Sequence, residues 1–494
     1  MPEQQSLFGP RKLPSLPPAP DRSRFEAALV GCAIGDALGW PTEFLREGGR
    51  HPPFELPLRH FVAWHKLVGG RWWGYRDNIG PGEYSDDTQL TLSVARSISA
   101  SGDFQPDRFA YFELPLWLQY ERGGGRSIKT AARNILARRT EWSRNFYRAG
   151  KIEYRLAGAN GAAMRNLPIA LVSSGNSERL IRDSFLNSIT THGHPRAIFA
   201  SILMGAAIQF ALHAENDREG MLHHLRETVG SVGGAIKGDR RIGNWIEAWE
   251  KSGKLQKGGF GEAATAVVRE IYTYLDDIPS YRDRPASEYY RRVGALASET
   301  RGSGVATACA GIFLFLKNEL DPAQSIYAAV NELGSDTDTI AGFAGSLIGA
   351  RYGMRGLPTD LVNGIQDRGY LLKIAQHLHA IAAMETGHQA PDTTPLAKEE
   401  AFLRILAWEM GLYEMFWDAI DAGGSVVHPT LGRGRIISKD VRTLQREGYA
   451  AKLIHISFDC GQTCVFHSRV KDEEVAESLA SDVEKALYGR SAGR

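Results

Sequence analysis

The stretch Asn331–Tyr352, NELGSDTDTIAGFAGSLIGARY, constrains this chain more than any other. It sets two carboxylates and two hydroxyls in four consecutive residues, Asp336, Thr337, Asp338 and Thr339, and follows them with a Gly- and Ala-rich apolar run. That run reads as a close-packed helix, so the acids stand at its start, where unpaired N–H groups and the helix dipole favour anionic oxygen. Plain capping explains one or two such residues, not four. Several oxygen donors in a short loop suit a hard divalent cation such as Mg²⁺ or Mn²⁺.

Two known metal patterns can be tested here. A calcium loop of the EF-hand type, counted from Asp336, needs an oxygen ligand, a Gly and a Glu where the chain has Ile340, Ala341 and Leu347, so it fails. A haloacid-dehalogenase-like phosphatase also uses Asp-x-Asp, but after a buried strand, whereas Pro322–Leu333 reads as a helix. It stays as a weaker alternative.

A second cluster has the same grammar. In PGEYSDDTQLTLSVARSI (81–98), Ser85, Asp86, Asp87 and Thr88 precede a helix with an apolar face. Adjacent like charges repel unless a cation or donors compensate. Two such clusters about 250 residues apart imply a fold that joins them, with room for two neighbouring divalent ions that activate water. Upstream, FEAALVGCAIGDALGWPTEF (25–44) spaces Gly31, Gly35 and Gly39 by four. Small residues at that spacing line one helix face and admit another helix closely. Asp36 on that face is partly buried and needs partners; a structural hydrogen bond and a catalytic role are equally open to it. Glu43, just past Pro41 and Thr42, can enter a cleft.

The chain has 494 residues, 43% hydrophobic, with a net charge of +1. That allows two or three domains and a large core and gives no global pull toward nucleic acid. Four scattered cysteines, Cys32, Cys309, Cys460 and Cys464, suit a reducing compartment rather than a disulfide scaffold. No uninterrupted apolar run of transmembrane length and no signal peptide are visible. The expectation is a cytoplasmic protein without a membrane partner.

Residues 1–22 are Pro-rich and polar, read as a disordered tail. Residues 45–82 read as loop, with Trp64, Trp72, Trp73 and Tyr75 as padding or cover for a cleft. GANGAAMRNLPIAL (158–171) lets a backbone approach a ligand closely, and Asn160 and Arg165 offer an amide and a cation. SITTHGHPRA (188–197) sets Thr191, His192 and His194 before an apolar helix; His192 is a candidate for orienting a site group. Strand signals are nearly absent from 24 to 385, which predicts one large all-α domain.

Taken in order, GCAIGDALGWPTEF, PGEYSDDTQL, GANGAAMR, THGHPRA and NELGSDTDTIAGFAGSLIGARYG resemble the ADP-ribosylglycohydrolase family over about 24–385. The resemblance implies an all-helical fold, a binuclear Mg²⁺ or Mn²⁺ centre, and cleavage of the bond at C1″ of ADP-ribose attached to a protein or small-molecule target. By the same resemblance the metal ligands are Ser85, Asp86, Asp87, Asp336, Asp338 and Thr339. Either Glu43 or Asp87 is the catalytic general base, a choice the sequence leaves open, and Asn160, Gly161, Met164 and Arg165 match the loop that holds ADP-ribose; His192, the candidate for orienting a site group, joins them on the substrate side. Three positions depart from the usual pattern: Ser85 for Thr, Ala159 for the first Gly of the loop, and Ser335 for Gly. None removes a metal ligand. A catalytically silent ADP-ribose-binding protein is the second reading.

Residues 386–423 read as a linker and an amphipathic aromatic helix, with Leu406, Met410, Tyr413 and Trp417 at helical spacing. In 424–475, alternation and Gly turns signal four or five short strands, resembling a small SH3- or Tudor-like β-barrel, and 476–494 reads as a helix or tail. Arg433, Arg435, Lys439, Arg442 and Lys452 make this region basic, which suits nucleic-acid or protein contact or simply solvated charge. Cys460, Cys464, His455 and His467 lack the spacing of a zinc finger. The expected architecture is thus mainly all-α, with a small C-terminal β-barrel.

Overall fold

A computed structural model describes residues 20–471, apart from 47, 50–51, 69–73, 138–139, 151, 214–216, 253–258, 385–397, 412–416, 418–419 and 445–448. The tails expected at 1–22 and 476–494 therefore fall almost wholly outside the described residues, as do Trp72, Trp73 and Tyr413.

At the centre are two helices, α1 (Arg22–Gly39) and, far along the chain, Thr337–Tyr352. Asp21 caps α1 by accepting from the Ser23 amide at 3.1 Å. Each interior glycine disfavours an isolated helix by about 1 kcal/mol relative to alanine, so the pattern persists only where something approaches. A Cβ on Gly31 would fall on the Gly345 carbonyl, one on Gly35 on Ala341, and one on Gly349 on Ala27. The two backbones pack directly on each other. Gly39 meets the start of the second helix, where its Cβ would lie 2.6 Å from Asp338 Cα. The end of α1 and the acidic start of the other helix are thereby adjacent.

Around this pair stand α2 (Asp86–Ala95), α3 (Arg126–Leu136), α4 (Leu167–Val172), α5 (Ser177–Ile189), α6 (Pro195–His213), α7 (Gly304–Lys317) and α8 (Ala323–Asn331); Thr337–Tyr352 is α9 and Arg368–Ala382 is α10. One helix, α6, is long and apolar enough by composition to cross a membrane, although Arg196 and Gln209 interrupt its apolar run. It is 89% buried in its most apolar window, which is how a core helix satisfies the same criterion. Asp336–Asp338 follows α8, a helix and not a strand, which removes the haloacid-dehalogenase-like alternative.

Residues 45–82 are not all loop. They contain an antiparallel hairpin, β1 (Trp64–Val68) and β2 (Tyr75–Ile79), in which Lys66 pairs with Asp77. Its signal was alternation: Tyr75, Asp77 and Ile79 are buried while Arg76 and Asn78 are exposed. Five-residue strands are short enough for that period to be missed.

Helix α11 (Lys398–Met410) then leads to an antiparallel sheet, β3 (Ser425–His428), β4 (Gly432–Thr443), β5 (Tyr449–Phe458) and β6 (Thr463–Lys471), in the order β3-β4-β5-β6. It is an open meander and not the closed barrel expected. Alternate side chains explain why: both faces already have cover. Ile454, Ile456, Phe458 and Phe466 join the helical core, while Ala451, Leu453 and Val465 pack with Tyr75 of the hairpin. Trp408 of α11 meets His428 edge-on at 4.7 Å between ring centroids.

Candidate active site

Both acidic helix starts open on one cavity of about 300 Å³. The N-terminus of α2 is held by two side chains. Ser85 Oγ accepts from the Asp87 amide at 3.2 Å. Asp36, reaching from α1, accepts from the amides of Ser85 (3.2 Å) and Thr88 (3.0 Å) and from Thr88 Oγ1 (2.6 Å). Asp36 is thus a buried structural acceptor. The start of α9 is tied down by Thr337 Oγ1, which donates to the Gly39 carbonyl at 2.8 Å, and Thr42 Oγ1 donates to the Val330 carbonyl at 2.7 Å. Between the clusters, Thr339 Oγ1 donates to Asp87 Oδ2 at 2.8 Å, across 252 positions of sequence.

Five carboxylates, Glu43, Asp86, Asp87, Asp336 and Asp338, line the cavity together with Thr339. Burial raises the pKa of Glu43 to about 8, partly offset by the Lys66 charge. It raises Asp86 to about 7, again against Lys66. Asp87 and Asp338 are also pushed well up, first by burial and then by neighbouring carboxylates. Among the described residues, no three His, Cys, Asp or Glu side chains stand together as a ready-made metal cage. The donor set nonetheless fits a hard divalent cation: crowded oxygens, no sulfur, and mutual repulsion that positive charge would relieve.

The residues expected to hold the substrate divide. Asn160, Gly161, Met164 and His192 line the cavity. Asn160 is pinned by its side-chain amide on Thr307 Oγ1 (3.1 Å) and its backbone N–H on the Gly302 carbonyl (3.0 Å). His192 shares a hydrogen bond with Thr191 Oγ1 (2.8 Å), and burial holds its pKa down at about 3, so the ring is neutral. Arg165 is elsewhere. Wholly buried, it donates to Asn187 Oδ1 (2.8 Å), the Gly161 carbonyl (3.0 Å) and Thr191 Oγ1 (2.9 Å). It braces the Gly161 loop from behind and does not face the cavity. Ser85 likewise lies outside the lining, as a cap.

Sequence reasoning missed two contributors. Arg126, Ser127 and Ile128, at the start of α3, form one wall; the preceding GGG was read only as a loop. Lys66, from the hairpin, bears on Glu43 and Asp86; a lone lysine in an aromatic stretch carries no motif.

Comparison with known proteins agrees with this geometry. The chain is 25% identical over 358 residues to the ADP-ribosyl-[dinitrogen reductase] glycohydrolase of Rhodospirillum rubrum, covering 72% of this chain and 95% of that protein. It is 26% identical over 381 residues to the ADP-ribosylhydrolase ARH3 of Homo sapiens, covering 73% and 93%. It is 21% identical over 374 residues to the ADP-ribosylarginine hydrolase Tri1 of Serratia proteamaculans, covering 75% and 82%. Residues 17–388 match the ADP-ribosylglycohydrolase family as a whole, which takes in both acidic clusters and the Asn160 loop, and the chain is therefore an enzyme of the ADP-ribosylglycohydrolase family.

Proposed function

We propose that the chain hydrolyses the glycosidic bond joining ADP-ribose to a protein or small-molecule target, and that it does so with two divalent cations. The observation that carries this is the Thr339–Asp87 hydrogen bond, which brings two distant acidic clusters into one cavity with the Asn160 loop. Asp86, Asp87, Asp336, Asp338 and Thr339 would hold Mg²⁺ or Mn²⁺. Ser85, occupied as a cap, is left out of the donors the cavity itself supplies. When bound, the ions would supply positive charge for oxygens that become anionic in the reaction.

The chain's own residues do the rest. Glycosides leave through an oxocarbenium-like state at the anomeric carbon, and a carboxylate takes the proton of the attacking water. Glu43 and Asp87 are the two candidates, and their surroundings separate them. Asp87 Oδ2 is engaged by Thr339. Glu43 is half-buried as a residue and lines the cavity, and its carboxyl, raised by burial to a pKa of about 8, keeps its proton exchangeable around neutrality. We assign proton transfer to Glu43 and positioning to Asp87. His192, neutral in its buried place, adds no charge beside the departing sugar. Asn160 and the Gly161 backbone offer polar groups at close approach, with Arg165 keeping that loop rigid from behind.

The test is release of ADP-ribose from arginine-, serine- and nucleic-acid-linked substrates, for wild type and Asp338→Ala, with Mg²⁺ or with chelator. Metal-dependent release lost in the variant supports the reading. ADP-ribose bound tightly by the wild type with no release from any substrate would favour the catalytically silent binding protein.

A further inference from the structure

The C-terminal sheet lies beyond residue 388, where the family match ends, and among the described residues none of its side chains lines the acidic cavity. Its last strand still touches both chain segments that deliver the first acidic cluster. At the start of β6 the Thr463 amide donates to Asp367 Oδ2 (2.8 Å), which also accepts from Tyr84 Oη (2.7 Å). The neighbouring Gln366 amide holds the Gly82 carbonyl (3.0 Å). Those bonds fix the turn that leads into Ser85 and Asp86. Further along β6, His467 grips the segment after Trp117 twice. Its backbone amide donates to the Gln119 carbonyl (2.9 Å), and its ring Nε2 meets the Glu121 carbonyl at 3.2 Å. A carbonyl only accepts, so Nε2 carries the proton.

That segment runs straight into the cavity wall. The Glu121 carboxylate accepts from the Gly123 and Gly124 amides (3.1 Å each) and from Lys129 Nζ of α3 (3.1 Å). The Arg122 carbonyl accepts from the Asp86 amide (3.2 Å). Gln89 of α2 accepts from the Arg122 amide (3.2 Å) and donates to the Tyr120 carbonyl (3.0 Å). Gly123 takes a left-handed backbone, φ +126°, and a Cβ there would lie 2.7 Å from Asp86 Oδ1. Gly123, Gly125 and Arg126 line the cavity. A buried network whose members are all bonded places its groups tightly, and this one begins on the sheet and ends beside Asp86.

We propose that His467 is a positioning residue for the hydrolase: by holding the Glu121 peptide against α2 it sets the glycine wall relative to Asp86, and it makes catalysis depend on the C-terminal sheet. This deepens the hydrolase reading and rests on it. His467 touches no reacting atom and acts only through Glu121 and Arg122. A wall displaced by about an ångström is enough to slow a reaction by up to about a hundredfold.

The experiment uses the full chain and two peptides, one ADP-ribosylated on serine and one on arginine. His467→Phe keeps a ring and the backbone bond to Gln119 but removes the ring donor; His467→Leu takes its place where the larger ring unfolds the chain. His467→Gln keeps an N–H near the place of Nε2. On whichever peptide wild type cleaves, kcat is expected to fall roughly tenfold in His467→Phe and to return to within a few-fold of wild type in His467→Gln. Hydrogen exchange read by mass spectrometry is expected to quicken in His467→Phe at the Asp86, Gly123 and Gly124 amides and to stay unchanged in α1 and α9. A merely structural role would move kcat only with the folded fraction and would not single out those three amides. Exchange that stays at the wild-type rate there overturns the brace, and faster exchange with kcat unchanged overturns its part in catalysis. Faster exchange at those amides, in a protein whose wild type cleaves neither peptide, leaves the brace standing and sinks the hydrolase reading instead.

Discussion

Two interfaces hold the acidic cavity in shape, and they are built from opposite materials. Between α1 and α9, backbone meets backbone: Gly31 faces Gly345, Gly35 faces Ala341 and Gly342, Gly349 faces Ala27, and Gly39 faces Asp338. Between the helical body and the C-terminal sheet, side chains make most of the contact, with one backbone bond from the His467 amide to the Gln119 carbonyl (2.9 Å). Asp367 accepts from Tyr84 Oη (2.7 Å) and from the Thr463 amide (2.8 Å). Arg96, at the end of α2, donates to Glu113 (2.9 Å) and to Gln462 (3.0 Å). Phe466 packs against Tyr120. The first interface sets how far apart the two acidic clusters lie. The second pins α2 at both ends, since Tyr84 adjoins Ser85 and Arg96 closes the helix. Backbone contact tolerates no added atom, whereas side-chain contact loses stability piece by piece.

That contrast can be broken by substitution. Gly345→Val should have the largest effect. Its Cβ would fall on the Gly31 carbonyl, and neither helix can retreat without separating Asp87 from Thr339. We expect a loss of about 3 kcal/mol or more and little folded protein; a melting temperature within a couple of degrees of wild type would refute the backbone account. Phe466→Ala should cost about 3 kcal/mol by leaving a void under the sheet, yet leave a folded helical body. Complete unfolding would show that the two interfaces are not separable.

Asp36→Ala tests the junction between them. It strands two amides and one hydroxyl at the α2 start, for a loss of roughly 2 kcal/mol. Hydrolysis should fall by more than stability does, because Asp86 and Asp87 lose their placement. Activity that merely follows the folded fraction would make Asp36 a general core residue.

The most gradual effect expected is in the response to pH, read as a slope per unit and not as a single loss. His428 beneath the sheet is held well below its ordinary value by burial and by Arg96. The unfolded chain therefore binds an extra proton below about pH 6.5, and this site loses up to about 1.4 kcal/mol per pH unit as pH falls. Glu43 and Asp86 behave oppositely: their pKa values are raised in the fold. The metal-free protein should lose stability as pH rises from about 4 to about 8. Thermal melts of wild type, His428→Phe and Glu43→Gln across that range separate the two slopes; His428→Phe should flatten the acid limb only.

Much of the helical fold was legible because its signals are local. Gly at every fourth position, and acids followed by an apolar run, need no partner to be noticed. The hairpin was missed because five residues carry too few periods. Arg165 was misplaced because a cation in a Gly-rich loop looks the same whether it meets a ligand or, as here, Asn187 and Thr191. The sheet was expected to close because strand alternation does not say what covers each face.

What the chain wrote for itself was chemistry and close approach: which residues carry oxygen, and where the backbone is bare enough to be touched. What only the tertiary structure decided was direction. Asp36 turned to cap α2 and Ser85 stayed with the helix, while Lys66 swung in from a hairpin to face Glu43 and Asp86. The reason is physical. A residue type sets what a side chain can bond, but the partner it meets is brought by packing from elsewhere in the chain, as Thr339 is brought to Asp87 across 252 positions.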